Sequence, residues 1–171
     1  MSVYLVGYRG SGKTTIGRRL ADRLWLSFAD SDERVIKEAG KSIREIFDSH
    51  GEAAFRDLEA KIVAELSQLS EHVIALGGGA LLRDENREAL MKAEHKIVYL
   101  RCEPEELHRR IQADPQTAAN RPHLSPLGGS VDEIKNLLVE REPLYRACMT
   151  AELDVTNLTP EEAVVRLGRL V

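Results

Sequence analysis

The segment Gly7-Tyr8-Arg9-Gly10-Ser11-Gly12-Lys13-Thr14 decides how the rest of the chain is interpreted. It fits the pattern G-x-x-x-x-G-K-[ST] at every fixed position, and the aliphatic run Val3–Val6 precedes it. The amphipathic segment Lys13–Leu24 follows, so the pattern predicts a glycine-rich turn between a strand and a helix. A turn that only connects two elements needs the glycines but not the Lys-Thr pair. The segment therefore predicts a phosphate-binding loop.

The chemistry of such a loop explains its residue types. Successive backbone N–H groups and a helix N-terminus give a phosphate chain many donors without side-chain bulk. We expect Lys13 to bridge the β- and γ-phosphates and the Thr14 hydroxyl to contact Mg²⁺. The predicted nucleotide-binding residues of the loop are Gly10, Ser11, Gly12, Lys13, Thr14 and Thr15.

Short apolar runs alternate with longer amphipathic segments along the chain, which predicts an α/β fold with a parallel sheet between layers of helices. The predicted strands are Val3–Val6, Val73–Leu76, Ile97–Leu100 and Leu153–Val155, with a weaker one at Leu26–Ala29. The predicted helices are Lys13–Leu24, Ala53–Leu69, Asp84–Lys92, Pro104–Ala113, Asp132–Tyr145 and Pro160–Leu170. Capping boxes are predicted at Ser42–Glu45 and Ser130–Glu133.

Composition sets the broad class. The 171 residues include 24 Lys+Arg and 28 Asp+Glu, a formal net charge of −4, which argues against nucleic acid as a partner. We find no apolar run long enough to cross a membrane and no secretory signal, and the two cysteines form no C-x-x-C pair. These features predict one domain, residues 1–171, in the cytoplasm.

One irregular stretch, Asp114–Gly129, contains three prolines and two glycines and shows little periodicity. It exceeds the usual loop length, so either it is disordered or it closes over a site. We interpret it as a lid, with bounds of approximately 112–129.

Two further segments point to a site. In Asp30-Ser31-Asp32, carboxylates two residues apart at a strand end can face one crevice, although a solvated turn with a helix cap fits equally well. Gly77-Gly78-Gly79 follows a buried strand, where glycine lets backbone approach a ligand; a flexible turn is the alternative. No acidic residue ends that strand, so Asp30 is our candidate for the metal-side carboxylate.

Two arginines are candidates for binding an anion. Arg56 lies beside an apolar helical stripe, where an ion pair with Glu59 is the plainer interpretation. Arg141 continues the stripe of Ile134 and Leu138 and so faces inward, where a guanidinium needs an anionic partner. That partner is either an internal carboxylate or the carboxylate of a substrate.

The motifs along this chain, taken in their order, resemble those of the shikimate kinase family. The resemblance rests on Gly10-Ser11-Gly12-Lys13-Thr14-Thr15, Asp30-x-Asp32, Phe55-Arg56-x-x-Glu59, Gly77-Gly78-Gly79, Asn120-Arg121-Pro122 and Arg141-x-Pro143-Leu144-Tyr145. It spans nearly the whole chain, and the length of the lid resembles the family variant with a longer lid. It implies a five-stranded parallel sheet in the order 2-3-1-4-5.

The resemblance also implies roles for single residues. Asp32 matches the proposed base that bonds the substrate hydroxyls, and Asp30 matches the aspartate that holds Mg²⁺ through water. Arg56 and Arg141 match the pair that binds the shikimate carboxylate, with a backbone contact from Gly78. On the nucleotide side, the matching residues are the lid arginine Arg121, which reaches the phosphates, Arg110, which packs on adenine, and Asn157 in the adenine-side loop.

Together with the loop motif, the resemblance implies ATP-dependent phosphorylation of the 3-hydroxyl of shikimate, with Lys13, Asp32 and Arg121 as catalytic residues and Mg²⁺ as cofactor. We expect a monomer. ATP and shikimate are the expected partners. Two alternatives stay open. Another P-loop kinase of a small molecule, such as gluconate kinase, shares the loop but does not predict the two arginines together with Gly77–Gly79. A non-catalytic binding module predicts loss of a catalytic residue.

Overall fold

The computed structural model describes residues 1–92 and 94–171, leaving out the side chains at positions 117, 118 and 120. Its centre is a parallel sheet of five strands in the order β2-β3-β1-β4-β5. The strands are β1 (Val3–Val6), β2 (Ser27–Asp30), β3 (His72–Ala75), β4 (Lys96–Arg101) and β5 (Ala151–Asp154). The predicted strands and the predicted strand order are thus confirmed, with boundaries that differ by at most two residues.

The central strand β1 is buried along its whole length and has a neighbouring strand on either side. Leu5 is in register with Ala75 of β3 on one side and with Val98 of β4 on the other. The Tyr4 hydroxyl, also buried, donates to the carbonyl of Leu66 at 2.9 Å. This continuous apolar character is typical of strands covered on both faces.

Helices flank the sheet. They are α1 (Lys13–Leu24), α2 (Ser31–Ala39), α3 (Ile43–Leu66), α4 (Asp84–Met91), α5 (Pro104–Ala113), α6 (Pro115–Asn120), α7 (Val131–Cys148) and α8 (Pro160–Leu167), with a 3₁₀ turn at Ala80–Leu82. α1 packs on α8 and on the β2–β3 side of the sheet, while α7 packs on α5 and β4. No helix in the described part of the chain combines the length and the apolar character that spanning a membrane requires.

Helices α2 and α3 differ from the prediction. α2 is absent from the predicted helices, although a helix cap is one of the two alternatives for Asp30-Ser31-Asp32; it begins directly after β2, where the Asp30 side chain accepts from the N–H groups of Asp32 and Glu33. The helix predicted at Ala53–Leu69 begins ten residues earlier, after Ser42, and bends at Gly51, which has φ 81° and ψ 171°. The predicted capping box at Ser42 is confirmed, since both of its hydrogen bonds are present.

The segment Asp114–Gly129 is not irregular throughout. It contains the short helix α6, whose first turn is capped by the side chain of Asp114 through the N–H of Gln116. The capping box predicted at Ser130 is only half formed: Ser130 accepts from the N–H of Glu133, but Glu133 accepts from the N–H of Leu124 instead of returning a bond. The Glu133 carboxylate is thereby tied to the segment before α7.

The topology brings the candidate residues together. The carboxyl ends of parallel strands meet at one edge of the sheet, and ligands bind in the crevice beyond that edge. At this edge β1 leads into the loop 7–12, and β2 ends at Asp30. The third strand, β3, is followed there by Gly77–Gly79. α3 and α7 carry Arg56 and Arg141 to the same edge.

Candidate active site

The glycine-rich loop has the backbone conformation of a phosphate-binding turn. Gly10 and Gly12 adopt φ values of 86° and 92°, a region that side chains with a Cβ rarely enter. A Cβ at Gly10 would also lie 2.9 Å from the side chain of Ile111 in α5. Glycine is therefore required where the backbone turns into α1. The loop ends at the N-terminus of this helix, which favours negative charge.

Lys13 is held over the loop. Its Nζ donates to the carbonyls of Gly7 and Tyr8 at 2.8 and 2.9 Å. Burial lowers its pKa to about 8, and the positive charge of Arg121 contributes in the same direction, against the charges of Asp32 and Asp30. The ammonium group thus lies in an environment that favours the approach of an anion.

Thr14 and Asp30 form a pair beside Lys13. The Thr14 hydroxyl donates to Oδ2 of Asp30 at 2.7 Å, while Oδ1 of Asp30 accepts from the N–H of Asp32 at 2.9 Å. Burial raises the pKa of Asp30, and the negative charge of Asp32 raises it further. Asp30 is therefore both the cap of α2 and a buried carboxylate next to a hydroxyl, a set of hard oxygen donors that suits Mg²⁺.

Arg121 reaches across the site to Asp32. Its Nη2 donates to Oδ2 of Asp32 at 2.5 Å, and the charge of Asp32 is the main reason why the pKa of Arg121 is raised. Asp32 is buried, and Arg121 lies 89 residues further along the chain, at the end of α6. The resemblance assigned Arg121 to phosphates; in the structure its partner is the candidate base.

Arg56 is buried and faces both an acidic residue and the glycine run. Its Nη1 donates to Oε2 of Glu59 at 2.7 Å, and Glu52 lies at 3.3 Å. The ion pair with Glu59 that was the plainer interpretation is thus present. A Cβ at Gly79 would lie 2.5 Å from both Nη atoms of Arg56, so only glycine lets this guanidinium lie against the backbone.

Arg141 is 5 % exposed and its Nε has no hydrogen-bond partner among the residues that the structure describes. Its guanidinium carbon lies 5.7 Å from the centre of the Tyr8 ring. The following turn of α7 anchors the region, because the Tyr145 hydroxyl donates to the carbonyl of Gly78 at 2.5 Å. The inward orientation of Arg141 is as predicted, and its bonding capacity is incompletely used.

Two adjoining cavities contain these residues. The first, which we call the Lys13 cavity, is lined on its polar side by Lys13, Thr14, Thr15, Asp30, Arg110 and Arg121. The second, the Arg56 cavity, is lined by Arg56, Arg141, Glu59 and Gly77–Gly79, and on its apolar side by Ile43, Phe47, Phe55 and Leu124. Arg9, Asp32 and Arg121 line both cavities. The arrangement places a cavity with the glycine-rich loop and a lysine beside a cavity with two buried guanidinium groups, and a carboxylate and a guanidinium lie between them.

A third cavity continues from the outer side of the loop. It is lined by Gly10, Gly12, Thr15, Arg109, Arg110, Thr156, Asn157 and Pro160, among others. Arg110 is fixed at its rim, with Nε donating to Glu106 at 2.8 Å and Nη2 to the carbonyl of Val155 at 2.8 Å. Arg110 and Asn157, which the sequence placed on the adenine side, thus lie together next to the loop.

The structure also places at the site two residues to which no part in binding a ligand or in the reaction was assigned from the sequence. Arg9 lies within the loop itself, at a position where the motif accepts any residue. Glu59 holds Arg56 with one carboxylate oxygen, while its other oxygen is buried without a partner among the described residues. Burial raises the pKa of Glu59, although the charge of Arg56 opposes this. A charged residue within the motif was the available signal for Arg9.

Comparison with known proteins agrees with this geometry. The family model described as "Shikimate kinase" matches residues 9–170. A curated shikimate kinase from Paracidovorax citrulli is 46% identical over 148 residues, which are 85% of this chain and 78% of that protein.

Solved structures give the same result. Shikimate kinase from Acinetobacter baumannii in complex with shikimate superimposes with a TM-score of 0.90 at 34% identity, covering 99% of this chain and 91% of that one. A gluconokinase from Sinorhizobium meliloti 1021 has a TM-score of 0.62 at 21% identity and covers 99% of this chain and 92% of that one. The second likeness is one of fold alone. On the family model, the relatives and the fold together, the chain belongs to the shikimate kinase family.

Proposed function

We propose that this protein transfers the γ-phosphoryl group of ATP to the 3-hydroxyl of shikimate. The observation that carries the proposal is the adjacency of the Lys13 cavity and the Arg56 cavity, which share Asp32 and Arg121. A phosphoryl donor in the first and an acid in the second would meet at these two side chains. Phosphoryl transfer needs mainly positioning and charge stabilisation from a protein, and this arrangement can provide both.

The donor side is the glycine-rich loop. We assign the backbone N–H groups of residues 10–15 and the ammonium of Lys13 to the phosphates of ATP. Lys13 now bonds two loop carbonyls, so it is already within reach of any anion that enters the loop. We assign Arg110 and Asn157 to the adenine side, because both line the cavity that continues outward from Gly10 and Gly12.

The acceptor side is the Arg56 cavity. Two buried guanidinium groups, of Arg56 and Arg141, suit a carboxylate, which accepts paired N–H donors. The unpartnered Nε of Arg141 supports an anionic ligand at this place. Apolar side chains opposite, including Phe47 and Phe55, fit the carbon ring of a small cyclic acid. We assign to Gly78 a backbone contact to the same ligand.

In the reaction, the acceptor hydroxyl oxygen forms a bond to the γ-phosphorus while the bond from that phosphorus to the β–γ bridging oxygen breaks. ADP leaves with the electron pair, and the hydroxyl proton passes to Oδ2 of Asp32. Arg121, which now bonds that oxygen, turns to the transferring group when the phosphates arrive and balances their charge. Asp32 thereby becomes free to accept from the hydroxyl at the same stage.

The residues fit a magnesium ion as cofactor. Thr14 and Asp30 offer oxygen donors next to the phosphate site, and the raised pKa of Asp30 reflects a buried carboxylate beside a second one, which a cation would stabilise. When bound, Mg²⁺ neutralises charge on the β- and γ-phosphates.

The same proposal covers the organisation of the chain. We propose one domain over residues 1–171, in which residues 112–129 act as a lid that excludes water, since water in the site would hydrolyse ATP. We propose a monomer that binds only small molecules. A cytoplasmic location is supported by the substrate ATP and by Cys102 and Cys148, which are both buried free thiols.

A coupled assay of ADP release tests the function, with shikimate, gluconate or no acceptor as three parallel arms. We expect ADP release that depends on shikimate and is close to the acceptor-free rate with gluconate. Equal rates in all three arms would contradict the proposal, and a preference for gluconate would favour the other P-loop kinase.

A further inference from the structure

Arg9 is a charged side chain at the centre of the site for which the reaction described above has no task. It belongs to the glycine-rich loop and is among the residues that line both the Lys13 cavity and the Arg56 cavity. Asp32 and Arg121 also line both cavities. Arg9 therefore lies at the junction where a phosphoryl group would pass from one ligand to the other.

The bonding capacity of Arg9 is mostly unused. Its Nη1 donates to the carbonyl of Pro122 over 3.5 Å, which is the outer limit for a hydrogen bond. Its Nε is withdrawn from solvent and has no partner within residues 1–92 and 94–171. A buried donor without an acceptor costs free energy, and a ligand that accepts from it would remove this cost.

Positive and negative groups both lie close to Arg9. Burial lowers its pKa, and the charges of Arg121 and Arg141 lower it further, against opposing contributions from Tyr8 and Glu133. Glu133 is engaged elsewhere through one oxygen, which accepts from the N–H of Leu124 at 3.1 Å. Arg121 is paired with Asp32 and Arg141 lies on the side of the Arg56 cavity, so Arg9 is the guanidinium at the junction that has no carboxylate bonded to it among the described residues. Such a group favours an anionic ligand.

The position of Arg9 indicates which anion it binds. The carboxylate of the acid has Arg56 and Arg141, and the nucleotide phosphates have the loop N–H groups and Lys13. The anion that arises at the junction is the phosphoryl group once it is attached to the acid. We propose that Arg9 binds this group after its transfer, so that the site has a higher affinity for the phosphorylated acid than for the acid itself. This inference rests on the proposed function.

Titration calorimetry in the presence of ADP tests the proposal, with shikimate and phosphorylated shikimate as the two ligands. Arg9→Met removes the charge and keeps the length of the side chain. We expect it to weaken binding of the phosphorylated acid by about tenfold or more, as for a lost hydrogen bond between charged groups, with little change for shikimate. The affinity of Arg9→Lys for the phosphorylated acid should lie between those of the unmodified protein and Arg9→Met. Arg44→Met, on the exposed side of α3, serves as the control and should change neither affinity.

Two results would overturn the proposal. An equal loss for both ligands would place Arg9 on the shared carboxylate or on the lid, and unchanged affinities would mean that it contacts neither ligand. If Arg9→Met does not fold, as judged by thermal unfolding, Arg9→Lys decides by the same comparison. Turnover of shikimate by the unmodified protein is measured first. Its absence overturns the proposed function and this inference together. Turnover by the unmodified protein, with the affinities of Arg9→Met for both ligands unchanged, overturns only the inference.

Discussion

Arg121 and Asp32 neutralise each other across the junction of the two cavities, with Nη2 of the arginine 2.5 Å from Oδ2 of the aspartate. Both residues are assigned other partners during the reaction, namely the transferring phosphoryl group and the acceptor hydroxyl. The ion pair therefore keeps two charged groups satisfied until the ligands arrive. Exchanging these partners costs less than leaving either charge without a partner in the site.

Asp32→Asn tests whether this aspartate takes the proton. The substitution keeps the shape of the side chain but removes the charge that Arg121 pairs with. We expect kcat to fall by about 10²–10⁴-fold, the usual contribution of a general base, with a smaller change in the KM for shikimate. Steady-state kinetics in both substrates give the two values. A change in KM alone would make Asp32 an anchor for the hydroxyl and not a base.

Lys13→Ala tests the phosphate loop. Loss of the ammonium should lower kcat by about 10²–10³-fold, because charge on the transferring group is no longer balanced at this point. Lys61→Ala, which removes an exposed ammonium paired with Glu38 on α2, is the matched control. Thermal unfolding of both variants should show that they remain folded. Turnover of Lys13→Ala near that of the control would mean that Lys13 does not serve the phosphates.

The pKa of Lys13 makes stability depend on pH in a defined direction. In the folded chain this pKa is lowered from 10.5 to about 8, so between these values the unfolded state binds the proton and the folded state does not. The free energy of unfolding should therefore rise with pH across this interval, relative to Lys13→Met, by at most about 3 kcal/mol. Urea unfolding of both proteins without ligand, at several pH values between 7 and about 10.5, measures this difference. A constant difference would show that the lysine is not desolvated.

Arg141→Ala should raise the KM for shikimate by about tenfold or more and leave the KM for ATP nearly unchanged, since the contact that it removes is to the carboxylate. Arg141→Lys keeps the charge but not the paired donors, so we expect an intermediate KM. Kinetics with each substrate varied in turn separate the two constants. Equal effects on both substrates would argue against a carboxylate site at Arg141.

Gly79→Ala tests the close approach of Arg56 to the backbone. The new Cβ would lie 2.5 Å from both Nη atoms, and the guanidinium would have to move away from Glu59. Because the end of a flexible side chain yields, we expect a small loss of stability and a clear rise in the KM for shikimate. Gly168→Ala, at the end of α8, is the control for stability. A normal KM would show that the position of Arg56 is not critical.

Much of this fold could be predicted from the sequence because the sequence patterns that indicate it are local. The loop motif, the aliphatic strands and the cap at Ser42 each depend on a few neighbouring residues. From the sequence, a helix after Asp30 is only one of two alternatives, because its cap is also the candidate carboxylate for the metal. The cap at Ser42 marks the start of α3, but the sequence does not predict a helix from there to Ala53, because Gly51 interrupts the helical periodicity without ending the helix.

For the site, the sequence predicted which residues lie together better than how they pair. Arg141 is buried, as the stripe of Ile134 and Leu138 predicts, and Arg56 and Asp32 are buried at the same edge of the sheet. The pairing of Arg121 with Asp32 joins residues 89 positions apart, and no local pattern contains it. The place of Arg9 between two cavities likewise depends on how the lid and α7 pack against the loop.

A crystal structure of the protein with ADP and shikimate bound tests the central claim most directly, because it locates both ligands at once. We expect the phosphates of ADP against residues 10–15 and the carboxylate of shikimate between Arg56 and Arg141, with the 3-hydroxyl directed at Asp32. A nucleotide bound away from this loop, or an acid bound outside the Arg56 cavity, would contradict the account.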